Sequence, residues 1–371
     1  MGKNTGFKES DIVMTDNQSE RLKNDRNNCN MWRVIATLMI AVLHTGIRWN
    51  NNTIGWYIMV DFFFMLSGFL LIKGVYDGRY DYSVWHYTKK RIVRLYPNVI
   101  FSFFVLFIYS AFNGYSIGGV VSQLYGHLCE ILPFLYTFRQ AAVYTQPMNY
   151  TAWYVDALLI DSMVVFYMLK NHRKCFIEIG MITIAFIGLA YINHTHNNFY
   201  EGGNVWGCIN ISYIRGLADM CLGCIAYVIV NKVRGRLTKT AYVFARIIEY
   251  FGFCFVIAAS FFMGYTTIDF SYVLIIFVSL ICMNLYESNT VSDLRPIRFL
   301  SRISYSVYLN QLFVIVALPR ILHVDSVADN AVTMILYLCI LIAYSAITDW
   351  IVNYIVRKCK EHSDILFVQV K

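Results

Sequence analysis

Ten long apolar stretches, separated by short polar turns, constrain the fold of this chain more than any other feature. A helix needs roughly 20 mostly apolar residues to cross a bilayer. The chain is 58% apolar and 15% charged, whereas soluble domains are near about 45–50% and 25%. The pattern predicts an all-α, polytopic membrane helical bundle of about ten transmembrane helices, and it excludes a soluble enzyme, a disordered chain and a disulfide-stapled secreted domain. The stretches cover approximately residues 31–48, 55–75, 96–113, 152–170, 175–193, 208–230, 241–264, 270–286, 303–322 and 332–355.

The basic residues are distributed unevenly between the two sides of these stretches. Of the 31 Lys and Arg residues, 27 lie in or beside the N-terminal tail, every second loop and the C-terminal tail. The other four are Arg48, Arg139, Arg215 and Arg320. Because Lys and Arg concentrate in cytoplasmic loops, we expect both termini to be cytoplasmic. This bias also accounts for the net charge of +8, so no nucleic-acid partner is expected.

The polar ends of the chain suggest its division into domains. Residues 1–29 hold no apolar run and are expected to form a disordered cytoplasmic tail. Residues 30–356 then form the membrane domain, and residues 357–371 a second cytoplasmic tail. The stretch 120–140 mixes apolar and polar residues, which favours a re-entrant or interfacial helix over an eleventh span.

Ionisable side chains inside a span cost about 2.5–3.5 kcal/mol each on insertion scales, so each needs a reason. Arg33 and His44 are eleven residues apart in the first span, which is almost three helical turns, so both lie on one face about 16 Å apart. Asp61 in the second span is expected at a depth similar to that of His44, where it could orient the imidazole or hold a cation. The alternative is that Arg33 only reaches the lipid headgroups and His44 only caps the helix.

Two further arginines, Arg91 and Arg94, lie at the cytoplasmic start of the third span. Their i, i+3 spacing places both on one helix face. Guanidinium groups bind phosphate through paired hydrogen bonds, so the pair could seat a phosphate-bearing cytoplasmic ligand. The alternative is the ordinary positive charge of a cytoplasmic loop.

Metal ligands are sparse in the sequence. Cys221 and Cys224 form a C-x-x-C inside an apolar stretch without a second ligand pair, so they are interpreted as small apolar residues of a membrane helix. His194 and His196 offer at most a weak H-x-H site in an outer loop. We therefore expect no metal cofactor.

Five motifs, in order along the chain, resemble those of the acyltransferase 3 family of membrane proteins. The first is the spacing Arg-x10-His, and the second is similar to the family's "FF-x-x-SGFL" helix. The third is an R-x-x-R before proline, the fourth a W-[YF]-L-x-A-L-L element and the fifth a late S-x-x-SY-x-x-YL helix. In this sequence they are Arg33 to His44 and residues 61–71, 90–97, 153–159 and 300–309.

The resemblance implies transfer of an acetyl group from cytoplasmic acetyl-CoA to a hydroxyl of a surface polysaccharide or its lipid-linked precursor, in a bacterial cytoplasmic membrane. Succinyl or a longer acyl group is the nearest variant. His44 would act as a general base or as a transient acyl carrier. A secondary transporter or exporter of a glycan or small molecule is the alternative class. The implied site residues are His44, Arg33 and Asp61 for catalysis, Arg91 and Arg94 for CoA binding, and Asp156, Trp153 and Tyr305 for substrate binding.

The sequence departs from the family pattern at two places. The family often has a histidine after the late Tyr-Leu pair, where this chain has Asn310 and Gln311. It also often has an aspartate shortly before the first arginine, where the nearest counterpart here is Asn30. The late helix is therefore expected to offer no second imidazole.

Overall fold

The computed structural model describes residues 28–50, 52–112, 121, 124, 127–136, 147–196, 198–199, 205–206, 209–264, 266–286 and 290–369. Within these ranges the protein is an all-α membrane bundle, as the sequence predicts. Ten helices of ten or more residues are present in the described chain, one for each predicted span. They are α1 (Asn30–Leu43), α2 (Met59–Tyr76), α3 (Val84–Phe112), α4 (Trp153–Asn171), α5 (Met181–His196), α6 (Ile211–Val233), α7 (Lys239–Met263), α8 (Asp269–Leu285), α9 (Arg295–Leu322) and α10 (Ala331–Gln369).

Short elements connect these helices. Two small antiparallel hairpins are formed by β1 (Arg48–Trp49) with β2 (Asn52–Thr53), and by β3 (Val205–Trp206) with β4 (Ile209–Asn210). One turn of α-helix and a π-helical turn lead into α5. The 3-10 turns are Trp56–Ile58, Leu128–Glu130 and Tyr150–Ala152, and the segments before α5 are Arg173–Cys175 and Phe176–Gly180.

Eight of the ten helices are long and apolar enough to cross a membrane, once short helical turns at their ends are included. The exceptions are α1, with 14 residues, and α8, with 17. At 1.5 Å per residue α1 is only about 21 Å long, because the chain leaves the helix after Leu43 and turns at Gly46, whose φ is +77°. The predicted first span of 31–48 is therefore too long at its outer end.

The N-terminal end of α1 is buried among other helices and the loop before α9. The Asn28 amide donates to the Tyr286 carbonyl at 2.9 Å, and the Trp32 indole donates to Glu249 at 2.7 Å. Asn30, where the family often has aspartate, accepts a hydrogen bond from Ser301 of α9 at 2.8 Å. The packed domain thus already includes Asn28 and Cys29, both of which are buried. Residues 1–27, the rest of the expected tail, lie outside the described residues.

Several helices extend beyond the predicted apolar stretches at the ends that are expected to face the cytoplasm. The helix α3 begins at Val84, twelve residues before the predicted start at 96, so the basic segment 89–94 is helical. The helix α9 begins at Arg295, with a proline at its start, which fits the first turn of a helix. The last helix continues to Gln369, so the expected tail at 357–371 begins inside a helix.

The most extensive helix pairing joins α2 and α6. Gly68 and Gly223 allow it: a Cβ on Gly68 would collide with the backbone of Met220, and a Cβ on Gly223 with the backbone of Met65. Such small-residue contacts let membrane helices approach closely enough for dispersion to hold them. The second family-like motif is thus part of the tightest helix contact.

The mixed stretch 120–140 is described mainly over residues 127–136. This part contains a 3-10 turn at Leu128–Glu130 and a loop. Most of the expected re-entrant or interfacial helix lies outside the described residues. The remaining description nevertheless places buried polar groups here, and they support the site described below.

The charge distribution predicts the orientation of this bundle. We expect a tag at the C-terminus to remain inaccessible to a membrane-impermeant label in intact cells and to become labelled after permeabilisation. A tag between α5 and α6 should be labelled in both conditions, because that connection is expected to face outward. Labelling of the C-terminal tag in intact cells would contradict this orientation.

Candidate functional site

The end of the site that is predicted to face the cytoplasm is built on the first turns of α3. Arg91 Nη1 donates to the Tyr87 hydroxyl at 2.7 Å, and Arg91 Nε is buried without a hydrogen-bond partner. Arg94 is exposed, and Arg91 and several tyrosines lie within its electrostatic range. Tyr305 of α9 lies within range of both guanidinium groups and donates its hydroxyl to the Leu95 carbonyl at 3.0 Å. The structure therefore brings the predicted arginine pair and Tyr305 together.

Tyr154, itself in the fourth motif, lies at the centre of the site and near residues of the other four motifs. Its hydroxyl faces Ser67 of α2 and lies within electrostatic range of Arg33 and Arg91. Its ring contacts Phe64, with ring centroids 4.7 Å apart, and Tyr308 of α9, with centroids 5.4 Å apart. The family-like motifs, far apart in sequence, thus converge on one buried phenol.

The outer end of the site is formed around His44, which directly follows α1. The Tyr150 ring meets the imidazole edge-on, with ring centroids 5.2 Å apart. The amide of Gln311, from α9, faces the same imidazole. His44 Nδ1 and both polar atoms of the Gln311 amide are buried and have no hydrogen-bond partner.

These groups form one connected arrangement, which we call the polar path: Arg91 and Arg94, then Tyr305, Tyr154 and Tyr308, then Gln311 and His44. The helices α1 and α9 pack side by side, and in the predicted orientation both run outward from the cytoplasm. Along α9, Tyr305 and Gln311 are six residues, or about 9 Å, apart. The polar path therefore leads from the arginine pair towards His44.

A buried polar network that sequence reasoning missed supports the outer end. Glu130 accepts hydrogen bonds from the backbone N–H groups of Met148 at 2.9 Å and Asn149 at 3.0 Å, and it pairs with His127 at 2.6 Å. The Asn149 amide in turn donates to the Leu309 carbonyl at 3.2 Å, two residues before Gln311 in α9. The sequence shows Glu130 within the mixed stretch 120–140, but the residues around it do not indicate which groups it binds.

Asp61 is not placed beside His44. Its two oxygens accept from Arg215 Nε at 2.7 Å and from Arg215 Nη2 at 2.6 Å, and both side chains are almost fully buried. Arg215 also donates to the backbone carbonyls of Phe199 and Tyr57. The expected pairing of Asp61 with the imidazole is therefore wrong, because a buried guanidinium from α6 saturates this carboxylate. From the sequence, Arg215 is predicted only to be one of the four basic residues outside the cytoplasmic group.

Two more carboxyl groups, Asp219 and Asp161, surround this ion pair. Asp219 faces Asp61, yet neither of its oxygens has a donor within hydrogen-bond distance among the described residues. Asp161 packs against Gly216, where a Cβ would collide with its carboxyl oxygen. This acidic group is a structural feature of the α2–α6 contact and lies apart from the polar path.

Asp156, expected to bind substrate, is instead saturated by protein donors. It accepts from the hydroxyls of Tyr96 at 3.0 Å and Tyr213 at 2.8 Å, and from the backbone N–H of Phe134 at 2.8 Å. Phe134 has φ +71°, a left-handed conformation that this bond helps to hold. The side chain is 1% exposed, so the structure gives Asp156 a role in packing.

Trp153, the other residue of α4 that was expected to bind substrate, begins this helix and packs against Phe64, with ring centroids 6.3 Å apart.

Groups of metal-ligating side chains are absent from the residues that the structure describes. His194 and His196 both lie in the last turn of α5, and residues two apart in a helix point to nearly opposite sides. The H-x-H arrangement therefore cannot close on one ion. Cys221 and Cys224 are buried and free in α6.

Breaking the Asp61–Arg215 pair should destabilise the bundle. We expect Asp61→Asn or Arg215→Met to cost about 3–5 kcal/mol, because each leaves an uncompensated buried charge. The combined variant should lose less than the sum of the two. The measurement is thermal unfolding in detergent, and Lys358→Met, which breaks the exposed Lys358–Glu361 pair, is the control that should change little.

Two outcomes would contradict the structural role of the Asp61–Arg215 pair. If Asp61→Asn left the unfolding temperature unchanged and removed activity, the carboxylate would be a catalytic group and not a structural one. If the double variant were as unstable as the sum of both single variants, the two side chains would not act as a pair.

Comparison with known proteins adds one finding. A family model described as an acyltransferase domain, that of the acyltransferase 3 family, matches residues 26–353. No curated protein and no solved structure matches the chain. The matched range contains all ten helix starts and every residue of the polar path. The chain therefore belongs to the acyltransferase 3 family of multi-pass membrane proteins.

Proposed function

We propose that this acyltransferase moves an acetyl group from cytoplasmic acetyl-CoA to a hydroxyl of a surface polysaccharide or its lipid-linked precursor, in a bacterial cytoplasmic membrane. The observation that carries the proposal is the polar path, which connects a cytoplasmic arginine pair with a partly exposed imidazole at the outer end of α1. The two ends differ in chemistry, and each suits one reaction partner. A secondary transporter remains the alternative if His44 proves dispensable.

The cytoplasmic end suits the donor. Coenzyme A carries several phosphates, and guanidinium groups bind phosphate oxygens through short, charge-assisted hydrogen bonds. Arg94 is exposed, and Arg91 Nε has no partner, so both retain donors for an anion. Arg33 lies farther along, within electrostatic range of Tyr154. In this proposal the phosphates stay at the arginines while the thin pantetheine arm extends along the polar path towards His44.

The outer end suits the chemistry. As a general base, His44 takes the proton of the acceptor hydroxyl while that oxygen attacks the thioester carbonyl carbon. The tetrahedral intermediate then expels the CoA thiolate, which receives the proton from the imidazolium. As an acyl carrier, the imidazole itself attacks the thioester and passes the acetyl group to the hydroxyl in a second step. Both routes need one ring nitrogen with a free lone pair.

We predict that Arg91 and Arg94 bind the CoA phosphates. Replacing both with alanine should weaken acetyl-CoA binding by at least about tenfold, because each charge-assisted hydrogen bond contributes about 1.5–3 kcal/mol. Binding of acetyl-CoA to the purified protein in detergent measures this. The control is Arg173→Ala with Lys174→Ala, which removes two exposed cytoplasmic charges outside the polar path. Equal affinity in both double variants would remove the arginine pair from the donor site.

We predict that His44 is the chemical residue. His44→Gln keeps a hydrogen-bonding side chain but cannot exchange a proton near pH 7 or carry an acyl group. It should lower acetyl transfer at least about 100-fold, with expression and detergent stability near normal. Arg33→Lys keeps the charge but loses the planar fork, so it should reduce transfer severely if Arg33 clamps the donor.

The assays are acetyl-CoA turnover by the purified protein and mass analysis of the surface glycan. His172→Gln, which changes an exposed cytoplasmic histidine, is the control and should keep full activity. Full transfer by His44→Gln at matched protein levels would refute the mechanism and favour the transporter.

A further inference from the structure

Three polar atoms at the outer end of the polar path are buried and have no hydrogen-bond partner among the residues that the structure describes. They are Nδ1 of His44 and both amide atoms of Gln311, whose side chain is 0% exposed. Each unsatisfied buried polar group costs about 1–3 kcal/mol. Such a group in a folded protein needs an explanation. Because these three atoms belong to the candidate catalytic residue and its neighbour, we infer that they serve the reaction.

Contacts just before Gln311 in α9 help to set its position. Two residues earlier the Leu309 carbonyl accepts from Asn149, and three residues earlier the Tyr308 hydroxyl donates to the Thr151 carbonyl at 2.9 Å. The neighbouring residue Tyr150 meets the imidazole edge-on. The segment 149–151 therefore contacts both the part of α9 that precedes Gln311 and, through Tyr150, the His44 ring. Hydrogen bonds at catalytic groups are often long before substrate binds and shorten in the reacting complex.

We propose that Gln311 is the positioning residue for His44: its amide carbonyl accepts the proton on Nδ1, which leaves the lone pair on Nε2 for the acceptor hydroxyl or the acyl group. This inference rests on the proposed function. It assigns to a neutral amide the orienting role that the sequence suggested for Asp61. In a neutral imidazole one nitrogen donates and the other accepts, so fixing the proton on Nδ1 determines which nitrogen reacts.

The proposal accounts for the proton at each step. Nδ1 keeps its proton throughout, bound to the amide oxygen. Nε2 gains the proton of the acceptor hydroxyl as the new C–O bond forms, and it returns this proton to the CoA thiolate when the C–S bond breaks. A neutral partner orients the ring without fixing a positive charge on it, so the base remains free to accept a proton.

The test compares two replacements of similar shape. Gln311→Met removes the acceptor, and we expect the turnover number of purified protein with acetyl-CoA to fall about 100-fold, the scale of a misplaced catalytic group, with KM for acetyl-CoA within about twofold. Gln311→Glu keeps an acceptor but adds a negative charge, which favours the protonated imidazole. It should retain activity at high pH, with the acid limb of the pH–rate profile moved upward by about one unit.

The control is Asn310→Ala, which removes the neighbouring hydrogen bond to Thr348. It should lower the unfolding temperature and leave the pH–rate profile unchanged. If Gln311→Met folds and turns over normally while His44→Gln is inactive, the positioning role is wrong and the proposed function stands. If both variants are fully active, the proposed function itself fails. If Gln311→Met does not fold, Gln311→Glu still decides, because an unmoved acid limb would show that residue 311 does not contact the imidazole.

Discussion

The close contact between α2 and α6 organises the rest of the structure. In a bilayer the lipid tails are as apolar as leucine, so helices associate through packing and polar contacts instead of the hydrophobic effect. Gly68 and Gly223 permit the backbones of the two helices to touch. The same contact brings Asp61 and Arg215 together over a sequence distance of 154 residues. A bidentate pair at this depth is directional, so it fixes the rotation of α2 as well as its distance.

That rotation also determines where the neighbouring side chains of α2 lie. With Asp61 turned to α6, Phe64 and Ser67 contact Tyr154 of α4. Tyr154 then packs on Tyr308 of α9, which lies beside α1. The short helix α1 is enclosed by its neighbours, so the costly side chains of Arg33 and His44 face protein groups in place of lipid. A helix of only 14 residues is stable in a membrane protein when other helices surround it.

The sequence predicts those features that depend on local pattern. Ten apolar stretches give ten helices in the part of the chain that the structure describes, and the eleven-residue spacing places Arg33 in α1 and His44 directly after it, because helical periodicity is local. It does not predict which distant polar groups meet. Asp61 pairs with Arg215 and not with His44, because a guanidinium offers a carboxylate two charged donors where an imidazole offers one. Asp156 is likewise taken up by Tyr96 and Tyr213, and the buried role of Glu130 depends on backbone N–H groups near residue 148.

Along the polar path, the tyrosine hydroxyls in the middle face protein groups, whereas polar atoms at the two ends have no hydrogen-bond partner among the described residues. The Tyr305 and Tyr308 hydroxyls donate to backbone carbonyls, and the Tyr154 hydroxyl faces Ser67. These rings therefore offer a substrate mostly apolar surface, which suits a thin, weakly polar arm. Unused polar capacity remains at the two ends, at Arg91 Nε on the cytoplasmic side and at His44 and Gln311 on the outer side. In the proposed function, the unused polar capacity at one end suits an anionic donor and that at the other end suits activation of a hydroxyl, while the tyrosine rings between them supply mainly apolar contact surface.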